Sequence, residues 1–202
     1  MKKMIKIGNA QAFWGDRTSA AELLARQVPT LDYLTLDYLA EVSLSIMAIQ
    51  REKDPTLGYA RDFVDVVKSL IPLWQNGSKL KVVCNAGGLN PKGCAEACAR
   101  ALKEAGLAGI KIGVVFGDDV LPQIKSSPNE FLNMESKENA TPLLDRMITA
   151  NAYLGAQSLV EALNQGAQIV ITGRVADPSL TVAPCVAEFG WRWNDYDKIA
   201  AA

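Results

Sequence analysis

Apolar residues along this chain fall into two alternating rhythms. Short continuous runs at Met4–Asn9, Tyr33–Asp37, Lys81–Asn85, Ile110–Phe116 and Gln168–Thr172 read as buried strands. Between them lie longer stretches with helical spacing. The clearest is Gly58–Trp74, where Tyr59, Phe63, Val66, Val67, Leu70 and Trp74 form one stripe, with Pro72 predicting a kink or an earlier stop. Ser19 with Glu22 reads as a capping box opening a helix whose stripe is Ala20, Leu23, Leu24 and Val28. Val42–Ile49 predicts a short helix, and Arg51–Pro55 a charged loop after it. Pro91–Ala105, Gly155–Leu163 and Pro178–Phe189 predict three more helices. Leu121–Thr141 is polar and aperiodic and reads as an excursion, with helix restarting at Thr141-Pro142 and interrupted over Asn151–Tyr153.

Strand and helix alternate with crossovers long enough for parallel pairing. Val82-Val83-Cys84 and Ile169-Val170-Ile171 are apolar on both faces, as in a sheet covered on each side. The expected fold is therefore α/β: a mostly parallel sheet, doubly wound, with helices on both faces. A partial β/α barrel is the alternative. One domain over residues 1–202 is expected, cut short at its C-terminus, because Asp195–Ala202 reads as a helix with no stop signal.

Each strand ends abruptly in small and polar residues, and this is where chemistry is expected. Parallel α/β proteins bind ligands beyond the carboxyl ends of their strands. Asn85-Ala86-Gly87-Gly88-Leu89-Asn90-Pro91 joins a strand to a helix N-terminus, so Gly87 and Gly88 are candidates for receiving an anion, with Asn85 and Asn90 adding hydrogen bonds. A tight turn needing glycine for its own sake is the competing reading. Thr172-Gly173-Arg174-Val175-Ala176-Asp177 offers a guanidinium for a carboxylate or phosphate, and an aspartate that serves as base, as partner of Arg174 or as helix cap. Asp16-Arg17 follows the first strand and Asp118-Asp119 the fourth; the latter pair suits a divalent metal or a shared proton.

Composition narrows the chemistry. The chain has no histidine, so no Ser-His-Asp triad and no His-ligated zinc can be built from it. Net charge is −1, and there is no basic run, which argues against nucleic acid and anionic membranes as partners. No apolar run has the length of a signal peptide or a membrane span, so a cytoplasmic location is expected. Cys94 and Cys98 are four residues apart, yet with Ala101, Leu102 and Ala105 they read as one apolar helical stripe before they read as a metal pair. Gly8-Asn9-Ala10-Gln11 does not match a dinucleotide-binding fingerprint, and there is no plausible Tyr-x-x-x-Lys catalytic pair.

The segments IGNAQAFWGDR, LTLDYLAE, VVCNAGGLNPKGC, ANAYLGA and VITGRVADPSLTVAP, taken together and in order, resemble the acyclic terpene utilisation family, the AtuA-like proteins. The resemblance covers essentially the whole chain. It implies a role beside enzymes that degrade citronellol and geraniol through acyl-CoA intermediates. It also implies a longer protein with a smaller C-terminal ferredoxin-like module. The expected ligand is a branched acyl-CoA or related carboxylate, with coenzyme A as part of the substrate. The expected reaction is that of a lyase, hydratase or acyl transferase. Asp16, Asp118 and Asp177 would carry protons or a divalent metal. Arg17 and Arg174 would hold carboxylate or thioester oxygen, and Asn85, Asn151 and Tyr153 would line the pocket. The rival expectation is a non-catalytic subunit or binding module assisting an acyl-CoA enzyme. A homo-oligomer is also expected.

Overall fold

The computed structural model describes residues 4–202; Met1–Lys3 of the basic start lie outside them. Five parallel strands form one open sheet: β1 (Ile7–Gln11), β2 (Tyr33–Leu36), β3 (Lys81–Cys84), β4 (Ile112–Val115) and β5 (Ile169–Thr172). Their spatial order is β1-β2-β3-β5-β4. The helices are α1 (Ala20–Gln27), α2 (Glu41–Lys53), α3 (Asp62–Gln75), α4 (Pro91–Glu104), α5 (Leu121–Ser126), α6 (Gln157–Asn164), α7 (Ser179–Phe189) and α8 (Tyr196–Ala201).

The winding follows from side-chain alternation along the strands. Leu34, Leu36, Val82, Cys84, Ile169 and Ile171 point to one face and join the core formed with α1, α2, α3 and α4. Tyr33, Val83 and Val170 point to the other, where α6 and α7 cover them. The sheet is thus doubly wound and open, and the barrel alternative does not hold. Central strands β3 and β5 carry apolar residues on both faces because both faces are covered.

The differences from the sequence-based expectations have local causes. β1 begins at Ile7, not Met4, because pairing with β2 starts at Ile7 opposite Tyr33. The capping box at Ser19 does not form. Ser19 stands in the turn before Ala20 with helical backbone angles, φ −74° and ψ −8°, and its Oγ accepts from Arg17 Nε at 2.8 Å instead of capping the helix. Helix α1 buries Ala21 and Ala25, leaving Leu23 exposed, so the predicted stripe is rotated. Helix α2 runs on to Lys53, absorbing the start of the predicted charged loop, with Arg51 Nη1 donating to Leu89 O at 2.7 Å. Pro72 sits within α3 without ending it. Residues Thr141–Arg146 are 3₁₀ rather than α, and the excursion before them holds α5 and a further 3₁₀ turn at Pro128–Glu130.

The order of strands fixes one special place. The chain leaves β3 for α4 on the first face, and leaves β5 for α7 on the second, although β3 and β5 are neighbours. Their carboxyl ends therefore diverge, which is the switch point where open α/β sheets bind ligands.

Candidate functional site

Two loops meet at that switch point. Asn85, fully buried at the end of β3, accepts the Tyr38 N–H at 2.6 Å and donates to Asp37 Oδ1 at 2.7 Å. Arg174, past the end of β5, donates from Nη1 to Leu39 O at 2.8 Å and from Nη2 to Asp177 Oδ1 at 3.0 Å. Asn85 and Arg174 thus hold the Asp37–Leu39 segment after β2 between them.

Arg174 is 3% exposed, and its Nε–H has no hydrogen-bond partner. A guanidinium so buried normally has its donors satisfied. Its Cζ lies over the ring of Tyr153, 3.9 Å from the ring centroid. The Tyr153 hydroxyl donates in turn to Glu41 at the start of α2. That bond lowers the Glu41 carboxyl below its ordinary range and pushes the Tyr153 phenol up.

Asp118 supports the same loop from the β4 side. Its Oδ2 accepts the Arg174 backbone N–H at 2.8 Å and the Asn151 amide at 2.8 Å. Gly173 lacks a side chain because a Cβ there would run into the Asp118 carboxylate. Thr149 Oγ1 then donates to Asn151 Oδ1 at 2.7 Å. Asp118 is buried and serves to fix backbone, whereas exposed Asp119 accepts from Leu121 N–H at 3.1 Å.

The sequence-predicted residues therefore divide. Asn85 and Arg174 meet at the Asp37–Leu39 segment, and Asp118, Tyr153 and Asp177 touch Arg174, with Asn151 held by Asp118. Asp16 and Arg17 lie beyond edge strand β1, and their hydrogen bonds are local: Asp16 accepts from Ala12 and Arg17 N–H groups, and Arg17 reaches Ser19. Gly87 and Gly88 are buried rather than open. A Cβ on Gly87 would lie 2.6 Å from Thr172 O, and one on Gly88 would strike Met47 Sδ. Asn90 pins its own surroundings, accepting Gly93 N–H at 2.9 Å and donating to Thr56 O and Leu57 O, each at 3.1 Å. Asp177 makes no side-chain cap on α7; its carboxylate is drawn to Arg174 instead.

Sequence reasoning missed Asp37 and Glu41. Both stand in the LTLDYLAE segment, directly after a strand, which was the available signal.

The donors do not suit a divalent metal. Among the described residues no group of three or more His, Cys, Asp or Glu side chains could hold one, and the two carboxylates of Asp118-Asp119 are committed to different backbone groups. Cys94 and Cys98 are buried in the first core, with the Cys94 thiol pushed up by its bond to Cys98 and by burial. A second buried polar group lies under the N-terminus of α3. Gln11 and Tyr38 bury an amide and a hydroxyl beside each other there, near Asp62, whose carboxyl is raised by burial while it accepts from Trp14 Nε1 at 2.9 Å.

The model of the acyclic terpene utilisation family protein AtuA matches residues 5–202. The chain belongs to that family. No curated protein and no solved structure matches it. For an AtuA family member, the match places every residue around Arg174 inside the family's own extent. Among the described residues no helix is long and apolar enough to cross a membrane.

Proposed function

We propose that this AtuA family protein is a cytoplasmic enzyme of acyclic terpene catabolism that acts on a branched acyl-CoA or related carboxylate, with Arg174 as the group that holds the substrate's anionic or carbonyl oxygen. The observation that carries the reading is the free Nε–H of a buried arginine at the sheet's switch point. A cation as buried as the Arg174 side chain favours an oxyanion more than one in solvent does. Asp177 is exposed and touches the guanidinium, so it is the carboxylate placed to exchange a proton with a ligand there. Asp118 acts through the Arg174 backbone and is a positioning residue. The reaction classes consistent with such a site are carbon–carbon cleavage, hydration and acyl transfer on the thioester.

Tyr153 covers the guanidinium, so a ligand reaches Arg174 only when that ring swings aside. The closed Gly87-Gly88 loop favours a second reading, in which the chain is a binding module assisting a partner acyl-CoA enzyme.

The test is calorimetric titration with isovaleryl-CoA, followed by product analysis. Arg174→Lys keeps the charge but loses the planar fork, and is expected to weaken binding by about 1.5–3 kcal/mol. Equal affinity in the variant would leave Arg174 as a structural ion pair. Binding without turnover would favour the binding module.

A further inference from the structure

Helix α2 carries apolar residues on the wrong side. Its inner face buries Leu44, Met47 and Ala48 against the first core. Its outer face presents Val42 at 65% exposure, Ile46 at 44% and Ile49 at 46%. Their spacing of four and three residues, continued by Lys53, is the seam spacing of a paired helix. A surface helix normally shows polar residues along the centre of that face.

We propose that this face is where a second copy of the chain docks, through antiparallel pairing of α2 with its counterpart about a two-fold axis between Ile46 and Ile49. The stripe is complementary to itself in that arrangement. Ile46 of one copy meets Ile49 of the other, and Val42 meets the alkyl stem of Lys53. The charges choose the direction. Helix α2 opens on Glu41, which also accepts from Tyr153, and closes on Lys53 with Asp54 as its cap, so antiparallel pairing brings each Lys53 ammonium beside the other copy's Glu41 and opposes the two helix dipoles. Parallel pairing would stack Lys53 on Lys53. A self-matching patch of this kind closes a dimer and does not propagate. The contact is small for a protein interface, so the dimer dissociates on dilution.

The experiment reads oligomeric state and register together. Sedimentation of the purified chain between about 1 and 100 µM is expected to show a monomer–dimer equilibrium, as suits a small interface. Ile46→Asp removes an apolar contact from each copy and is expected to weaken dimerisation roughly thirtyfold or more. Circular dichroism and a cooperative melt confirm that the variant remains folded. Lys53→Glu is expected to weaken it as well, by setting like charges together. For register, Ile46→Cys and Ile49→Cys chains are mixed under oxidation. The native cysteines are all buried, so they do not compete. Mixed 46–49 disulfides are expected in excess over either homodimer. A monomer at every concentration overturns the proposal. So do assemblies larger than a dimer, a dimer indifferent to Ile46→Asp or Lys53→Glu, or crosslinks without preference for the mixed pair.

Discussion

At the scale of single residues, the site depends on what glycine permits. Gly87→Ala would put a Cβ 2.6 Å from Thr172 O and 2.7 Å from Pro91 Cα, both backbone atoms with little room to yield. Overpacking of this kind costs about 1–3 kcal/mol, read as a lower denaturant midpoint. The strain falls between β3 and β5, so the same variant is expected to disturb Arg174 as well. Asp62 gives a pH-dependent case. Burial raises its folded carboxyl above the ordinary value, so the folded state holds the proton more tightly than the unfolded state does. Its contribution to stability therefore falls as pH rises through the ordinary carboxylate range towards the folded value. Asp62→Asn keeps an acceptor for Trp14 and is expected to stabilise the chain at neutral pH, with the gain vanishing in acid. Chemical denaturation of both chains at pH 3 and pH 7 reads the difference. A gain that persists at pH 3 would contradict the burial argument.

At the scale of elements, the strands were more legible than the site. The apolar runs at β3 and β5 are continuous because both faces are covered, and their bounds were readable to within a residue. The apolar pattern puts the start of edge strand β1 too early because that start depends on pairing opposite Tyr33, a long-range fact. The sequence pattern ends helix α2 early because its Arg-Glu-Lys end looks like a loop, yet Arg51 is held by Leu89 O thirty-eight residues away. The site split for the same reason. Arg174, Asp118 and Asn85 were legible because the sequence alone marks strand ends. That Gly87 packs on Thr172 and Gly88 on Met47 is something no local pattern reveals. Glu41 went unnoticed because its value lies in reaching Tyr153, a partner 112 residues distant. Glu41→Gln tests that reach. Losing the carboxylate acceptor should loosen the ring over Arg174 and return the Tyr153 phenol towards its ordinary value, since the Glu41 bond is the first cause of its rise. Ultraviolet titration of the tyrosines checks this, and an unchanged titration would mean that the latch is not held in solution.

At the scale of the molecule, the cysteines report whether both faces of the sheet stand or fall together. Cys84 lies in β3, Cys94 and Cys98 in α4 on the first face, and Cys185 in α7 on the second, and all four are buried and free. Burial pushes the Cys84 and Cys185 thiols up, so both enclosure and proton affinity oppose thiolate chemistry in the folded chain. A thiol reagent must wait for an opening. If residues 4–202 form one cooperative unit, Cys84, Cys94 and Cys98 become reactive only through global unfolding, at one shared rate whose denaturant dependence matches the equilibrium transition. Cys185 has a little surface and is expected to react at that rate or faster. Mass spectrometry after pulses of labelling at increasing urea resolves the sites. Rapid labelling of Cys94 and Cys98 while Cys84 stays protected would show that α4 lifts from the sheet on its own. The loop that ends in Asn90 would then be mobile with it, and the packing of Gly87 on Thr172 would be a hinge rather than a seal.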